Sequence, residues 1–253
     1  MKVTFLGTGT SQGVPVIACS CPVCISSDPF DKRLRVSVLI ETGGKSLLID
    51  CGPDFRYQML RAGVKHLDAI LFTHEHKDHV AGLDDVRAFN YRTQQAIDVY
   101  AHTRVQKAIK REFEYIFSDF KYPGIPQVNL HEVTGEPLSV MGIAIQPIEV
   151  MHFLLPVYGF RIGDFTYITD AKTVPAASKD KIRGTKVLVI NALQKESHIS
   201  HFTLQEALDF ATEINAEKTY LTHISHRMGK HQDIAADLPG AVELAFDGLV
   251  LEI

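Results

Sequence analysis

The chain has 253 residues, 45% of them hydrophobic and 22% charged, which is enough apolar content for a sizeable core in one domain spanning 1–253. A formal charge of −4 from 26 basic and 30 acidic residues argues against broad attraction to nucleic acid or anionic lipid and favours a small substrate. No run approaches the ~20 apolar residues of a membrane span, the apolar start is too short for a signal peptide, and four cysteines are too few for a disulfide scaffold. A cytoplasmic location is therefore expected.

Short β-rich runs come first in the chain: Val3 to Leu6, Val36 to Glu41, Ser46 to Asp50 and Ala69 to Thr73, punctuated by Gly, Pro and Asp. The irregular stretch Ser118 to Gln127, with aromatics and two prolines, reads as a surface loop placed to cover a site. Further strands are expected at Ile143 to Ile148, Val157 to Ile162, Phe165 to Thr169, Lys186 to Ile190, Lys218 to Thr222 and Leu249 to Ile253. Thr203 to Ile214 has the helical period, with Ala207, Phe210, Ala211 and Ile214 on one face. Thr203 followed by Glu206 reads as its capping box. Strands, a helix-bearing middle, then strands and helices again point to two β–α halves rather than a simple wound sheet. The expected class is α/β (α+β in some schemes), built as a four-layer αβ/βα sandwich.

The densest chemistry lies in Thr73-His74-Glu75-His76-Lys77-Asp78-His79, directly after the apolar run Ala69 to Phe72. A loop leaving a buried strand is a rigid place for ligands. Imidazole and carboxylate suit zinc, manganese or iron, and alternation along an extended segment lets His74 and His76 share one ion while Asp78 and His79 turn toward another. Two metals need further donors, and His152, Asp170 and His223 each follow an apolar run. Any one of these alone is more often a hydrogen-bonded or surface residue; their recurrence at strand ends is what points to a site.

Together with Asp50-x-Gly52, this set resembles the metal-site motifs of the metallo-β-lactamase superfamily over nearly the whole chain. The resemblance implies that His74, His76 and His152 hold one ion, that Asp78, His79 and His223 hold the other, and that Asp170 bridges them. Asp50 would then orient ligands or loop backbone. Finer blocks, Leu6-Gly7-Thr8-Gly9-Thr10-Ser11-Gln12-Gly13-Val14-Pro15, Gly82-Leu83-Asp84-Asp85-Val86-Arg87, Thr222-His223-Ile224-Ser225-His226 and Phe246-Asp247-Gly248, resemble the PhnP-like cyclic-phosphate phosphodiesterases, relatives of the tRNA 3′-processing endonucleases.

Cys19-x-Cys21-x-x-Cys24 offers three of the four donors of a tetrahedral zinc site. The same resemblance supplies the fourth, His226, three residues after His223. The plain alternative is three reduced surface thiols. His201 lies just before the Thr203 cap, where a helix N-terminus favours an anion. The resemblance makes His201 the catalytic and phosphate-binding histidine, with His198 as a competitor, and gives Asp78 a catalytic as well as a ligand role. Arg87 is suited to bind phosphate or, equally, to pair with Asp84 or Asp85. For Gly7-Thr8-Gly9 an ordinary hairpin is the plainer reading.

These readings imply a metal-dependent phosphoric diester hydrolase acting on small cyclic or nucleotide-like diesters through a hydroxide made at a dinuclear centre. Its cofactors would be two divalent ions (zinc, manganese or iron) and one structural zinc. No membrane or nucleic-acid partner is expected, and a homodimer is left open. A tRNA 3′-processing endoribonuclease and a non-catalytic metal sensor are the alternatives.

Overall fold

A computed structural model describes residues 1–120 and 122–253; Lys121, within the expected loop, lies outside the described residues. The first half contributes strands β1 (Lys2–Gly7), β2 (Ser37–Thr42), β3 (Lys45–Ile49), β4 (Ala69–Leu71), β5 (Ile97–Ala101) and β6 (Val128–Glu132). Its helices are α1 (Phe55–Ala62), α2 (Lys77–Val80), α3 (Arg87–Thr93), α4 (Thr103–Glu112) and α5 (Glu114–Phe117). The second half contributes β7 (Leu138–Val140), β8 (Ile143–His152), β9 (Leu155–Ile162), β10 (Phe165–Tyr167), β11 (Val187–Asn191), β12 (Lys218–Thr222), β13 (Val242–Leu244) and β14 (Val250–Glu252). Helices α6 (Ala176–Ile182), α7 (Leu204–Ile214) and α8 (His231–Ala235) accompany them.

Two seven-stranded sheets result, ordered β14-β1-β2-β3-β4-β5-β6 and β13-β12-β11-β10-β9-β8-β7. The last strand crosses back to the first sheet, pairing antiparallel with β1. Period-two alternation sorts side chains between layers. Leu47 and Ile49 of β3 and Val189 of β11 enter the core between the sheets. Leu48 packs toward the helices of the first sheet and Leu188 and Ile190 toward those of the second. Helix, sheet, sheet, helix is thus the layer order, the expected αβ/βα sandwich.

The expected helix over Thr203–Ile214 is α7, capped as foreseen: Glu206 N–H donates to Thr203 Oγ1 at 3.2 Å and Thr203 N–H to Glu206 Oε2 at 2.8 Å. Four strands were not foreseen. β7 and β13 have three residues each, too few to show a period, and β6 is a partly exposed edge strand without a clean apolar face. β5 alternates Ile97, Val99 and Ala101 inward, a pattern visible in Ile-Asp-Val-Tyr-Ala but short. The Thr8–Thr10 segment departs from a hairpin: Ile224 N–H donates to Thr8 O at 2.9 Å and Thr10 N–H to Ile224 O at 3.1 Å. It braces the segment after β12 instead. The 118–127 loop docks on α3, where Asn90 exchanges hydrogen bonds with the backbone of Gln127.

Candidate metal centre

Strands β3, β4 and β5 run parallel, as do β10, β11 and β12, so their carboxyl ends collect the loops that carry polar chemistry. Asp50 follows β3, the His74–His79 segment follows β4, His152 ends β8, Asp170 lies just past β10, and His223 follows β12. His74, His79, His152, Asp170, His201 and His223 are all buried. Among the described residues their donor atoms form overlapping triads: His74, His76 and His152; Asp78, His79 and His223; His74, His79 and Asp170; and His152, Asp170 and His201. Asp170 is thus shared between histidines of the two outer triads, the arrangement expected of a bridging carboxylate.

Donor spacing fits cations. With metal–nitrogen bonds of ~2.0–2.1 Å, two donors on one tetrahedral ion sit about 3.3 Å apart. His74 Nε2 and His76 Nδ1 are 3.0 Å apart. His79 Nε2 lies 3.2 Å from Asp78 Oδ2 and 3.3 Å from Asp170 Oδ2, and His223 Nε2 lies 3.2 Å from Asp170 Oδ1. The buried His79 Nε2 and His223 Nε2 have no hydrogen-bond partner, a costly state that a cation bound among these donors would relieve.

The opposite ring nitrogens are held. His79 Nδ1 meets Asp50 Oδ2 at 2.7 Å, and His152 Nδ1 donates to Ser200 O at 2.9 Å, so each ring offers Nε2 inward. Asp50 is fixed in turn by Thr73 N–H at 2.9 Å and Thr73 Oγ1 at 2.8 Å. Thr169 Oγ1 donates to Asp170 Oδ2 at 2.7 Å, and the Asn191 side chain bonds both backbone groups of Ala171. Thr73, Thr169 and Asn191 went unnoticed in the sequence, where an isolated Thr or Asn at a strand end carries no signal.

Electrostatics follow from this crowding. Burial pushes His74 well below the usual imidazole range, and neighbouring His79 adds to it. Burial alone would lower His79 too, but Asp78, Asp50 and Asp170 hold it well above the ordinary value. Asp170 would rise on burial, yet His223 and His79 hold it well below the carboxylate range. Burial and the nearby His223 and His152 push His201 down to about 3, so its imidazole is neutral near pH 7 while Nδ1 lacks a partner. His198 is more exposed than His201 and belongs to none of the triads.

Two further sequence candidates separate. Cys19, Cys21 and Cys24 Sγ lie 3.3, 3.4 and 3.5 Å from His226 Nδ1, against about 3.6 Å for a sulfur–nitrogen edge of tetrahedral zinc. The Cys24 backbone N–H, then His226, lowers the Cys21 thiol to about 6, while burial raises Cys24 to about 11. Arg87 pairs with Asp84 at 3.1 Å and lines the cleft between α3 and residues 124–127. It is not brought into the cluster.

Residues 45–224 match the beta-lactamase superfamily domain. The chain is 41% identical over 98% of its length to an octanoyltransferase of Porphyromonas gingivalis (strain ATCC BAA-308 / W83), but spans only 51% of that protein. It is 30% identical to ribonuclease Z of Mycobacterium sp. (strain KMS), over 78% of this chain and 70% of the relative. The crystal structure of a diphosphatase from the PhnP family superposes with a TM-score of 0.93 at 42% identity, covering 100% of this chain and 97% of the other. The chain belongs to the metallo-β-lactamase superfamily and, within it, to the PhnP family.

Proposed function

We propose that this protein is a dinuclear metal-dependent phosphohydrolase acting on small phosphodiesters, cyclic or nucleotide-like. The observation that carries this is the pair of donor triads with Asp170 set between their histidines His74 and His79, and buried His201 against the same carboxylate at 3.8 Å. His74, His76 and His152 would hold one ion, and Asp78, His79 and His223 the other. Bound there, two divalent ions supply Lewis acidity toward phosphoryl oxygens and toward water. The protein's own part is to orient and to move a proton. Asp50 and Ser200 fix the rings of His79 and His152, and Thr169 fixes Asp170. Neutral His201 would donate a hydrogen bond to a phosphoryl oxygen; an anionic substrate beside it would raise its proton affinity so that it takes up a proton from solvent and, as imidazolium, passes that proton to the leaving oxygen. Asp78, in the first turn of α2, would add a carboxylate both to ligation and to the site where the reaction takes place.

The Cys19, Cys21, Cys24 and His226 clip is assigned a structural zinc that ties the N-terminal loop to the segment carrying His223. The diphosphatase relative favours chemistry at phosphorus and extends the candidate substrates to diphosphate diesters. The ribonuclease Z relative supports a second reading, RNA 3′ processing, which specific cleavage of a precursor tRNA would establish. The octanoyltransferase name belongs to a protein of which this chain covers half, and acyl transfer is given no role here.

A panel of ribose cyclic phosphates, 2′,3′-cyclic nucleotides, diphosphate diesters, thioesters and lactones, offered to metal-loaded protein, tests the assignment. Turnover confined to the phosphorus esters and anhydrides is expected; turnover of the acyl esters alone overturns it.

A further inference from the structure

The hairpin joining β8 to β9 closes on His152, paired with Leu155, so Phe153 and Leu154 alone form its two-residue turn. Phe153 has φ +56° while Leu154 is not among the positive-φ residues. Two-residue turns with this pattern ordinarily take glycine first, because a bulky side chain there is strained. A phenylalanine in the glycine position, 50% exposed, satisfies neither backbone preference nor burial. Such local violations concentrate where function requires them.

Its surroundings are equally unusual. Leu154 is 76% exposed and Ile199 66% exposed. Ile199 sits in the His198–His201 loop, which is tied to His152 through the Ser200 carbonyl. Three exposed apolar residues therefore lie next in the chain to members of the polar cluster: Phe153 and Leu154 directly after His152, and Ile199 two residues before His201.

The geometry points to Phe153, the exposed turn residue next to His152, as a specificity-determining platform for a planar aromatic group, such as a nucleobase, attached to a phosphate held at the metal centre. This rests on the phosphohydrolase reading of the metal centre. Such a platform selects substrates with an aromatic substituent over bare sugar phosphates, and the strain at Phe153 is retained because glycine offers no stacking surface.

Binding of adenosine 5′-monophosphate and of ribose 5-phosphate to metal-loaded wild type, Phe153→Gly and Phe153→Tyr, by calorimetry, isolates the base. The nucleotide should bind wild type and Phe153→Tyr about 10-fold or more tightly than the sugar phosphate, the order of base–aromatic stacking. Phe153→Gly should lose that preference with ribose 5-phosphate affinity unchanged and thermal stability undiminished, since glycine suits the backbone. Equal affinities for both ligands in wild type, or a preference that survives Phe153→Gly, overturns the platform. A wild-type dimer that Phe153→Gly splits without altering nucleotide affinity overturns it in favour of an interface between copies. Phosphodiester turnover measured on the same samples keeps the readings apart: turnover without base preference sinks only the platform, and base preference without turnover sinks only the phosphohydrolase.

Discussion

Asp50, Asp170 and His223 all hold left-handed backbone, with φ of 62°, 58° and 56°. Asp and His tolerate that region better than most residues, but it remains uncommon. Here it turns each side chain inward where its strand ends. Asp50 illustrates the dependence of a ligand on its support: its carboxylate, raised by burial and countered by His79 and Thr73, sets the His79 ring. Asp50→Asn is expected to weaken metal retention about 10–100-fold, read by competition with a chelator. His201→Ala is expected to lower turnover of a small diester about 10²–10⁴-fold with metal content intact; unchanged turnover removes His201 from the reaction. The core of the cluster was legible because His74-x-His76-x-Asp78-His79 is compact and chemically rare. Thr73, Thr169 and Asn191 were not, because their meaning arises only when separate strand ends meet. Arg87 was legible only as a choice between phosphate binding and a pair with Asp84 or Asp85, and the fold shows the pair with Asp84.

Between elements, the contact of the Asp50–Gly52 loop with the α2 turn has little slack. Cys51 N–H donates to His79 O at 2.7 Å and Gly82 N–H to Cys51 O at 2.8 Å. A Cβ on Gly52 would stand 2.0 Å from Asp78 O, and one on Gly82 2.1 Å from Gly52 O. Glycine is required at both by close backbone approach. Gly52→Ala is expected to displace Asp78, destabilising the fold by about 1–3 kcal/mol and lowering occupancy of the ion proposed for Asp78, His79 and His223; a wild-type melting temperature and metal content would refute this. The α7 cap is independent of the metals. Thr203→Ala should cost about 1 kcal/mol in denaturant unfolding. Glu206 is held below its ordinary value of 4.5: burial opposes this, but the Lys172 ammonium and the Thr203 N–H outweigh it. A depressed carboxylate contributes stability above its unfolded pKa and loses it as pH falls through the lower folded value. Glu206→Gln should therefore flatten the stability–pH curve below about 4.5, and an unaltered acid limb would show that the pair contributes nothing. The α7 boundaries were readable because cap and apolar face agree, whereas β7 and β13 depend on partners supplied by the rest of the sheet.

Across the whole molecule, two sheets bring ligands from both halves to one edge. Tyr158 N–H of β9 donates to Thr73 O at 3.1 Å, joining the sheets beside the cluster. The Cys19, Cys21, Cys24 and His226 group adds a second link, from the N-terminal loop to the segment after β12. Cys21→Ser should remove one equivalent of zinc and leave the dinuclear ions in place. The layer order was legible from strand and helix alternation; the return of β14 to β1 was not, since only tertiary pairing decides which sheet a terminal strand joins. Among the described residues no helix is long and apolar enough to cross a membrane.

The most direct test is turnover of bis(p-nitrophenyl) phosphate as zinc or manganese is returned stepwise to chelator-stripped protein, with His76→Ala alongside. The expected result is silence without metal, activity rising as the two-ion centre fills, and little recovery in His76→Ala. Cleavage that is indifferent to metal and to His76, or no cleavage of any phosphodiester with the centre filled, would contradict a dinuclear phosphohydrolase.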